Sequence, residues 1–249
     1  MPRKVLAVLP IYFQEEATIA CLRSFRETSL TGIDLKVVLA VNGATPSLQA
    51  YLDSVVGGTQ KDFPDKAEVV LRNFPGNPGK GFVVNQSVKE FESWNPEFVL
   101  SYDSDLIIQE PSWLTTLVFS FDKASSLKRL GAVVSAQTVG DVHRPVSPQI
   151  VKVSGTNLLF SSCNQGQAGS CLMTPLKVWK ELGGYRTDRV YGGIDGDYMS
   201  KLHMHKYVSC IAQDCVLIHP HSTDVAYSHW KLRAAYGKLG ENEKGGYYK

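Results

Sequence analysis

Two aspartates separated by one residue follow an apolar run in the middle of the chain. The segment Phe98-Val99-Leu100-Ser101-Tyr102 leads directly into Asp103-Ser104-Asp105. A short apolar run predicts a buried strand, and residues two apart in extended backbone point to the same side. Two adjacent carboxylates repel each other unless a cation lies between them. Because Mg²⁺ and Mn²⁺ prefer such oxygen ligands, the spacing predicts a divalent cation that holds phosphate on its free positions.

A second pair of aspartates with the same spacing lies in a glycine-rich segment. In Tyr191-Gly192-Gly193-Ile194-Asp195-Gly196-Asp197, the glycines let the backbone pass close to a ligand. We expect a helix from Tyr198 to His205, which places Asp197 near its amino end as a cap. Asp195 would then lie in the preceding loop, free to take the proton of an acceptor hydroxyl as a general base.

Cations at two further places suit a phosphate ligand. Asn77-Pro78-Gly79-Lys80-Gly81 is predicted to be a turn at the amino end of a helix, a position that favours phosphate or other polar ligands. A solvated turn is the alternative, and the segment is not a Walker loop because G-x-x-x-x-G-K-[ST] is absent. Lys231 and Arg233 are typical of an exposed surface, but a cationic tail also suits a place beside a diphosphate.

The first half of the chain alternates predicted strands with predicted helices. Strands are expected at residues 5–10, 36–41, 68–71 and 98–102, and helices at 17–28, 47–56 and 82–94. This alternation predicts an α/β fold with a Rossmann-like, mostly parallel sheet and helices on both faces. In such sheets ligands bind beyond the carboxyl ends of the strands, where the segments described above are expected to lie.

The second half is less regular, and it predicts a smaller mixed region. Helices are expected at 111–126, 175–182 and 198–205, and strands at 132–134, 151–153, 170–173 and 208–218. We expect a single domain over 1–249, with a nucleotide-binding half over about 1–110 and an acceptor-binding half over about 111–235. The Gly- and Lys-rich tail, about 236–249, is predicted to be mobile.

Composition excludes some classes of protein. The 249 residues are 43% hydrophobic and 20% charged, as in an ordinary globular domain. Their net charge of +2 is no signature of a dedicated nucleic-acid-binding protein. Five scattered cysteines without a C-x-x-C pair favour reduced thiols. No apolar run approaches the ~20 residues that span a bilayer. We expect a cytoplasmic protein and leave peripheral contact with a membrane open.

Five segments, in order, resemble the motifs of family 2-type glycosyltransferases with the GT-A fold. Leu9-Pro10-Ile11-Tyr12 with Glu15 resembles the opening Pro-x-Tyr-Asn-Glu loop, and Val41-Asn42-Gly43-Ala44-Thr45 resembles the Asp-Asp-Gly-Ser-Thr turn. The segment from Asn77 to Gly81, with Asn85, resembles Asn-x-Gly-Lys-Gly…Asn. The other two are the Asp103–Asp105 metal motif and the segment Tyr191–Asp197, which resembles the aromatic-Gly-Gly-Glu-Asp-x-Asp motif that holds acceptor and base. The resemblance covers residues 4 to 222.

The resemblance implies roles for individual residues. Tyr12 is expected against the nucleotide base, and Asp103 is expected to reach the ribose or, through water, the metal. Direct metal ligands would be Asp105 and His219, with His221 as second choice; a neutral imidazole suits Mn²⁺. Nucleotide-sugar binding is expected from Pro10, Ile11, Tyr12, Glu15, Asn42, Gly79, Lys80, Asn85, Asp103, Ser104, Lys231 and Arg233. Acceptor binding is expected from Gly192, Gly193, Ile194 and Asp197, with Asp195 as the catalytic base.

The resemblance implies a glycosyltransferase that moves one sugar from a nucleoside-diphosphate sugar to an acceptor hydroxyl with inversion. A UDP-sugar is the favoured donor, and the reaction is expected to depend on Mn²⁺ or Mg²⁺. Asn42 replaces the usual Asp near the base, which leaves uracil recognition open, and Ile194 replaces the usual Glu. The Gln-x-x-Arg-Trp motif of processive synthases is absent. The acceptor stays open among a glycan, a lipid-linked glycan, a protein and a hydroxylated base in DNA.

Two other functions compete with glycosyl transfer. A sugar nucleotidyltransferase should carry a Gly-rich loop with Arg after the first strand, but Leu9 to Glu16 contains no glycine. A non-catalytic module that binds a nucleotide sugar or a glycan is the other alternative. The presence of Asp103, Asp105 and Asp197 argues against such a module.

Overall fold

A computed structural model describes residues 1–138, 147–153, 155–161, 164, 167, 169–220 and 229–233. His221 and the predicted mobile tail, 236–249, lie outside these described residues. Within them, no helix is both long enough and apolar enough to cross a bilayer.

Ten strands and six α-helices make up the described structure. The strands are β1 (Arg3–Tyr12), β2 (Ile33–Gly43), β3 (Glu68–Asn73), β4 (Phe98–Tyr102), β5 (Ile107–Ile108), β6 (Leu130–Thr138), β7 (Gln149–Val153), β8 (Thr156–Phe160), β9 (Cys171–Pro175) and β10 (Val208–Ile218). The helices are α1 (Glu15–Ser24), α2 (Pro46–Val56), α3 (Lys80–Glu90), α4 (Trp113–Ser125), α5 (Leu176–Leu182) and α6 (Ile194–Met204), with a 3-10 turn at Glu92–Trp94. Residues 229–233 are also helical.

All strands belong to one sheet, whose order is β3-β2-β1-β4-β9-β6-β10-β8-β7, with β5 on the end of β10. In the first half every neighbouring pair is parallel. Strand β9 is antiparallel to both β4 and β6, and it joins the two halves. In the second half β10 is parallel to β6 but antiparallel to β8 and β5. The predicted fold, a parallel half beside a smaller mixed half, is confirmed.

Helices cover both faces of the sheet because the first strands are apolar on both sides. In β1, Val5, Ala7 and Leu9 pack towards α1, α2 and α4. Leu6 and Val8 point the other way and pack with α3, α5 and α6. Successive side chains of a strand face opposite sides, so a near-continuous apolar run is what a sheet buried on both faces requires.

The predicted elements are found, with three differences that matter. Strands β5 and β8 were not expected from the sequence. Helix α1 ends at Ser24, before the predicted end at Thr28. The predicted start of the helix at Tyr198 is wrong: α6 begins at Ile194 and includes both acids of the second pair.

Candidate active site

A cavity of about 280 Å³ opens where the carboxyl ends of β1, β2 and β4 meet loops of the second half. This is the edge of a parallel sheet at which ligands bind. The predicted site residues that line the cavity are Pro10, Tyr12, Asn42, Lys80, Asp103, Ser104, Asp105, Gly192, Gly193, Ile194, Asp195, His219 and Lys231. The fold therefore brings both acids of the first pair, Asp195 of the second pair, the histidine and two lysines to one place.

Asp103 and Asp105 reach the cavity from a turn, and the extended backbone assumed from the sequence is wrong. Strand β4 ends at Tyr102, and the Leu106 amide donates a hydrogen bond of 3.3 Å to the Asp103 carbonyl. The Asp103 amide donates to the Ser170 carbonyl at 2.7 Å, which ties the turn to the segment before β9. Both carboxylates still face the same cavity and can act on one ligand.

Lys80 links the two acidic segments. Its Nζ lies 2.7 Å from Asp103 Oδ1 and 3.0 Å from Asp195 Oδ1. Burial alone would lower the pKa of Lys80, but the charges of Asp103 and Asp195 outweigh it and hold the pKa well above its ordinary value. Burial also raises the pKa of Asp103, against the opposing charge of Lys80. Lys80 is therefore a permanent cation between the two halves.

Gly79, which the sequence analysis expected to bind the nucleotide sugar, and Gly81 pack closely against the 186–190 segment. A Cβ on Gly81 would lie 2.0 Å from the Arg186 carbonyl oxygen, and one on Gly79 would lie 2.7 Å from Val190 Cα. Gly79 also has a positive φ of 91°. Only glycine lets the start of α3 approach the 186–190 segment this closely, and that approach places Lys80 beside Asp195.

His219 contacts Asp105, the second acid of the turn after β4. The end of β10 pairs with β5, which brings His219 Nε2 to 3.4 Å from Asp105 Oδ1. Burial raises the pKa of Asp105, but the hydrogen bond and charge of His219 and the charge of Lys231 outweigh it, and the net pKa lies below its ordinary value. Asp105 is therefore held as an anion.

This pair fits a divalent cation that also binds phosphate. A carboxylate oxygen and an imidazole nitrogen at this separation can both reach one Mn²⁺ or Mg²⁺ ion. Across the part of the chain that the structure describes, no group of three or more His, Cys, Asp or Glu side chains is placed to hold a metal. Two protein ligands suit an ion such as Mg²⁺, which keeps positions for substrate phosphates and water.

The acids of the second pair diverge because both lie in the first turn of α6. Gly193, with φ 68°, precedes the helix, and its carbonyl accepts the Asp197 amide at 2.9 Å. Residues two apart on a helix differ by about 200° in direction. Asp195 lines the cavity, whereas Asp197 Oδ2 lies 3.1 Å from Lys201 Nζ. A Cβ on Gly169 would lie 2.4 Å from Asp195 Cγ, so only glycine leaves room for this carboxylate.

The helical segment 229–233 contributes an aromatic wall. Trp230 is 3% exposed, and its ring lies 4.8 Å from that of Tyr12 and 6.0 Å from that of Tyr191. The Lys231 Nζ lies 5.4 Å from the Tyr191 ring. Asp105 and Asp103, together with Tyr191, raise the pKa of Lys231 against the lowering effect of its burial. The segment therefore brings a second cation towards the aspartates.

Several predicted site residues lie outside the cavity. Ile11 is fully buried in the core. Glu15 accepts hydrogen bonds from Thr45 and, at 2.7 Å, from Ser47, which joins the loops after β1 and β2. The Asn85 amide donates to the Tyr185 carbonyl at 2.8 Å and accepts from its amide at 3.0 Å. Gly79, Asp197 and Arg233 are also absent from the lining.

Other lining residues were not predicted: Gln14, Asn77, Gln167, Gly169, Ser170, Val190, Tyr191 and Trp230. Asn77 and Tyr191 lie within segments that the sequence analysis quoted, so their position in those motifs was a usable signal. Trp230 directly precedes Lys231 but carries no pattern that indicates Tyr12 as its neighbour. Gln167 lies in an irregular segment, and nothing in the sequence indicated it.

The structure is similar to several solved structures. Mannosyltransferase PcManGT from Pyrobaculum calidifontis, in complex with GDP-Man and Mn²⁺, matches with TM-score 0.66 and 16% identity, over 96% of this chain and 64% of that one. S. aureus TarS 1-349 in complex with UDP-GlcNAc matches with TM-score 0.65 and 14% identity, over 97% of this chain and 69% of that one. GalNAc-T7 with UDP, GalNAc and Mn²⁺ matches with TM-score 0.65 and 12% identity, over 89% of this chain and 44% of that one. The sequence matches no protein-family model and no curated protein.

These similarities show the fold, which is that of GT-A-like glycosyltransferases. The chain spans 64% of the PcManGT chain and 41% of a longer TarS chain. The match extends over nearly the whole of this chain, so both halves of the sheet are shared.

Proposed function

We propose that this protein is a metal-dependent, inverting glycosyltransferase that moves one sugar from a nucleoside-diphosphate sugar to an acceptor hydroxyl. One observation carries the proposal. A carboxylate–imidazole pair that fits a divalent cation and a separate carboxylate on α6 face one cavity, with a buried lysine between the two sides. That arrangement supplies the two functions that sugar transfer requires: a counter-charge for the leaving diphosphate and a base for the acceptor.

On the donor side, Asp105 and His219 hold Mn²⁺ or Mg²⁺. When bound, the ion neutralises the charge that develops on the diphosphate as the sugar leaves. Lys80 and Lys231 add two cations at the edges of the same space. Asp103 and Ser104 bind the nucleotide sugar from the turn after β4, and Pro10, Tyr12 and Asn42 surround the base and ribose.

On the acceptor side, Asp195 is the general base. It takes the proton of the acceptor hydroxyl while that oxygen forms a bond to the anomeric carbon, and the bond from this carbon to the diphosphate oxygen breaks. The electron pair leaves with the diphosphate. One displacement inverts the configuration, and no second nucleophile is required. Gly192, Gly193 and Ile194 line the acceptor space beside Asp195.

The surroundings of the protein form part of the proposal. Four cysteines of the described residues, Cys21, Cys171, Cys210 and Cys215, are buried free thiols, which suits a reducing cytoplasmic location. The acceptor is a saccharide, a lipid-linked glycan, a protein or a hydroxylated base in DNA. Solved proteins of the same fold include complexes with GDP-Man and with UDP-GlcNAc, so the fold alone leaves the base undecided.

The proposal is tested with a panel of nucleotide sugars and Mn²⁺. Release of nucleoside diphosphate from the full chain, with water as acceptor, measures turnover before the natural acceptor is known. We expect turnover with at least one UDP- or GDP-sugar, lost in EDTA and in Asp105→Asn. Asp65→Asn, the same change at an exposed aspartate outside the cavity, is the matched control. No turnover and no binding with any nucleotide sugar would contradict the proposal.

A further inference from the structure

Four amide side chains that line the cavity have a buried polar atom that the described protein does not pair: Gln167, from the second half, and Gln14, Asn42 and Asn77, which follow or end strands of the parallel half. The last three form one set. Asn42 is 6% exposed and Asn77 is 4% exposed. Among the described residues, none forms a hydrogen bond with Asn42 Oδ1, Asn77 Nδ2 or Gln14 Nε2. Buried polar atoms in folded proteins are nearly always paired. The three atoms therefore point to a polar ligand that enters from the cavity.

The three amides lie at the ends of three neighbouring strands. Gln14 follows β1, Asn42 is near the end of β2, and Asn77 follows β3, with β2 between the other two strands. Gln14 and Asn77 have positive φ values of 47° and 46°, a conformation that non-glycine residues adopt rarely. Such conformations cluster where a structure holds a ligand. Across the sheet the unpaired atoms run donor, acceptor, donor.

We infer that this amide set reads the base of the donor nucleotide and selects the imide edge of uracil or thymine. The inference rests on the proposed function, because it takes the cavity to hold a nucleoside diphosphate. An imide edge presents a carbonyl oxygen, a ring N–H and a second carbonyl oxygen. The ring N–H donates to Asn42 Oδ1, and the carbonyls accept from Gln14 Nε2 and Asn77 Nδ2. The amide oxygen of Asn42 is thus the hydrogen-bond acceptor for the ring N–H, in place of a carboxylate.

Other bases leave one of these atoms unpaired. Guanine presents one acceptor followed by two donors, so its amino group would face the N–H of Gln14 or Asn77. Cytosine has no ring hydrogen to donate to Asn42 Oδ1. A site that is built to form hydrogen bonds discriminates strongly when a ligand leaves its buried groups unpaired.

Calorimetry on the full chain with Mn²⁺ tests the inference directly. We expect UDP and dTDP to bind at least about tenfold more tightly than GDP and CDP. Any difference between UDP and dTDP reports on the ribose and the methyl group, since both present the same edge. GDP or CDP binding as tightly as UDP would overturn the inference.

A single substitution should change the preference. Asn77→Asp replaces a donor with acceptors, which suits the amino group of guanine, so the ratio of UDP to GDP affinity should fall by at least about tenfold. Asn73→Asp makes the same change at an exposed residue at the end of β3 and should leave the ratio unchanged. An unchanged ratio in folded Asn77→Asp would overturn the inference.

Further measurements keep the test decisive. If Asn77→Asp does not fold, Gln14→Glu makes the corresponding change at the other donor. The calorimetric comparison of UDP, dTDP, GDP and CDP on the unmodified chain tests the inference in either case. The failure of this inference and that of the proposed function are distinguishable. A preference for GDP overturns the reading of the base and leaves sugar transfer intact, whereas no nucleotide binding at all overturns both.

Discussion

The chain uses the same short pattern, two aspartates one residue apart, in two regions with different results. After β4 the pair lies in a turn, and both Asp103 and Asp105 face the cavity. At the start of α6 the pair lies on a helix, where only Asp195 faces the cavity and Asp197 turns to Lys201. The backbone conformation therefore determines whether two aspartates one residue apart face the same site.

In the proposed function, the difference also separates two tasks. A cation that binds the diphosphate requires negative charge concentrated on one side, which the turn provides. His219 and Lys231 hold the pKa of Asp105 below its ordinary value against the effect of burial. A general base requires one carboxylate aimed at one hydroxyl, which the helix provides. Lys80 contacts both regions, at 2.7 Å and 3.0 Å, and sets the distance between them.

Asp195→Asn is the strongest test of the acceptor-side region. The amide is nearly isosteric but cannot take a proton, so turnover should fall by about 10²- to 10⁴-fold. The affinity for nucleotide should stay nearly the same, because the lost interaction acts in the transition state. Initial rates of diphosphate release and calorimetry measure the two effects. Turnover close to that of the unmodified chain would place the base elsewhere.

His219→Ala tests the donor-side region with a smaller effect. Losing a metal ligand should weaken the affinity for Mn²⁺ by about 10- to 100-fold, and high Mn²⁺ should restore part of the activity. The Mn²⁺ dependence of turnover gives the half-saturating concentration. His205→Ala is the matched control, because His205 lies at the far end of α6 beside Glu181. If the half-saturating Mn²⁺ concentration is the same in the unmodified chain, His219→Ala and His205→Ala, His219 is not a metal ligand.

Asp197→Asn should have the smallest effect and so sharpens the contrast within α6. The partly exposed pair with Lys201 is worth only about 0.3–0.5 kcal/mol of unfolding free energy. Turnover should stay within about twofold. Urea denaturation of Asp197→Asn, Lys201→Met and the double variant measures the coupling. A loss of activity comparable to that of Asp195→Asn would erase the proposed difference between the two acids.

The parallel half was predictable because its signals are local. The apolar runs of β1, β2 and β4 can be buried only between two layers of helices, and a helix is found in each of the three predicted places, with ends that differ by a few residues. The second half gave weaker signals. Strand β5 has two residues, and it is a strand only because it pairs with β10. The start of α6 was misplaced because Gly196 is a poor helix former, yet the helix begins at Ile194, directly after Gly193, and includes Gly196.

The candidate site was predictable where motifs mark it and not where distant segments meet. Asp105, Lys80 and Asp195 stood out by residue type and spacing. The contact of Trp230 with Tyr12 joins residues from opposite ends of the chain, and no periodic pattern carries that information. The role of Gly81 was also hidden, since its neighbour, the Arg186 carbonyl, lies far away in sequence.

In the proposed function, donor binding depends on a divalent cation that Asp105 holds and that binds the diphosphate. Titration of UDP into the full chain with Mn²⁺, repeated in EDTA and repeated with Asp105→Asn in Mn²⁺, tests this by calorimetry. We predict binding in Mn²⁺ and none detectable in EDTA or in Asp105→Asn, while Asp65→Asn binds like the unmodified chain. Equal affinity in EDTA, or equal affinity of Asp105→Asn, would contradict the account.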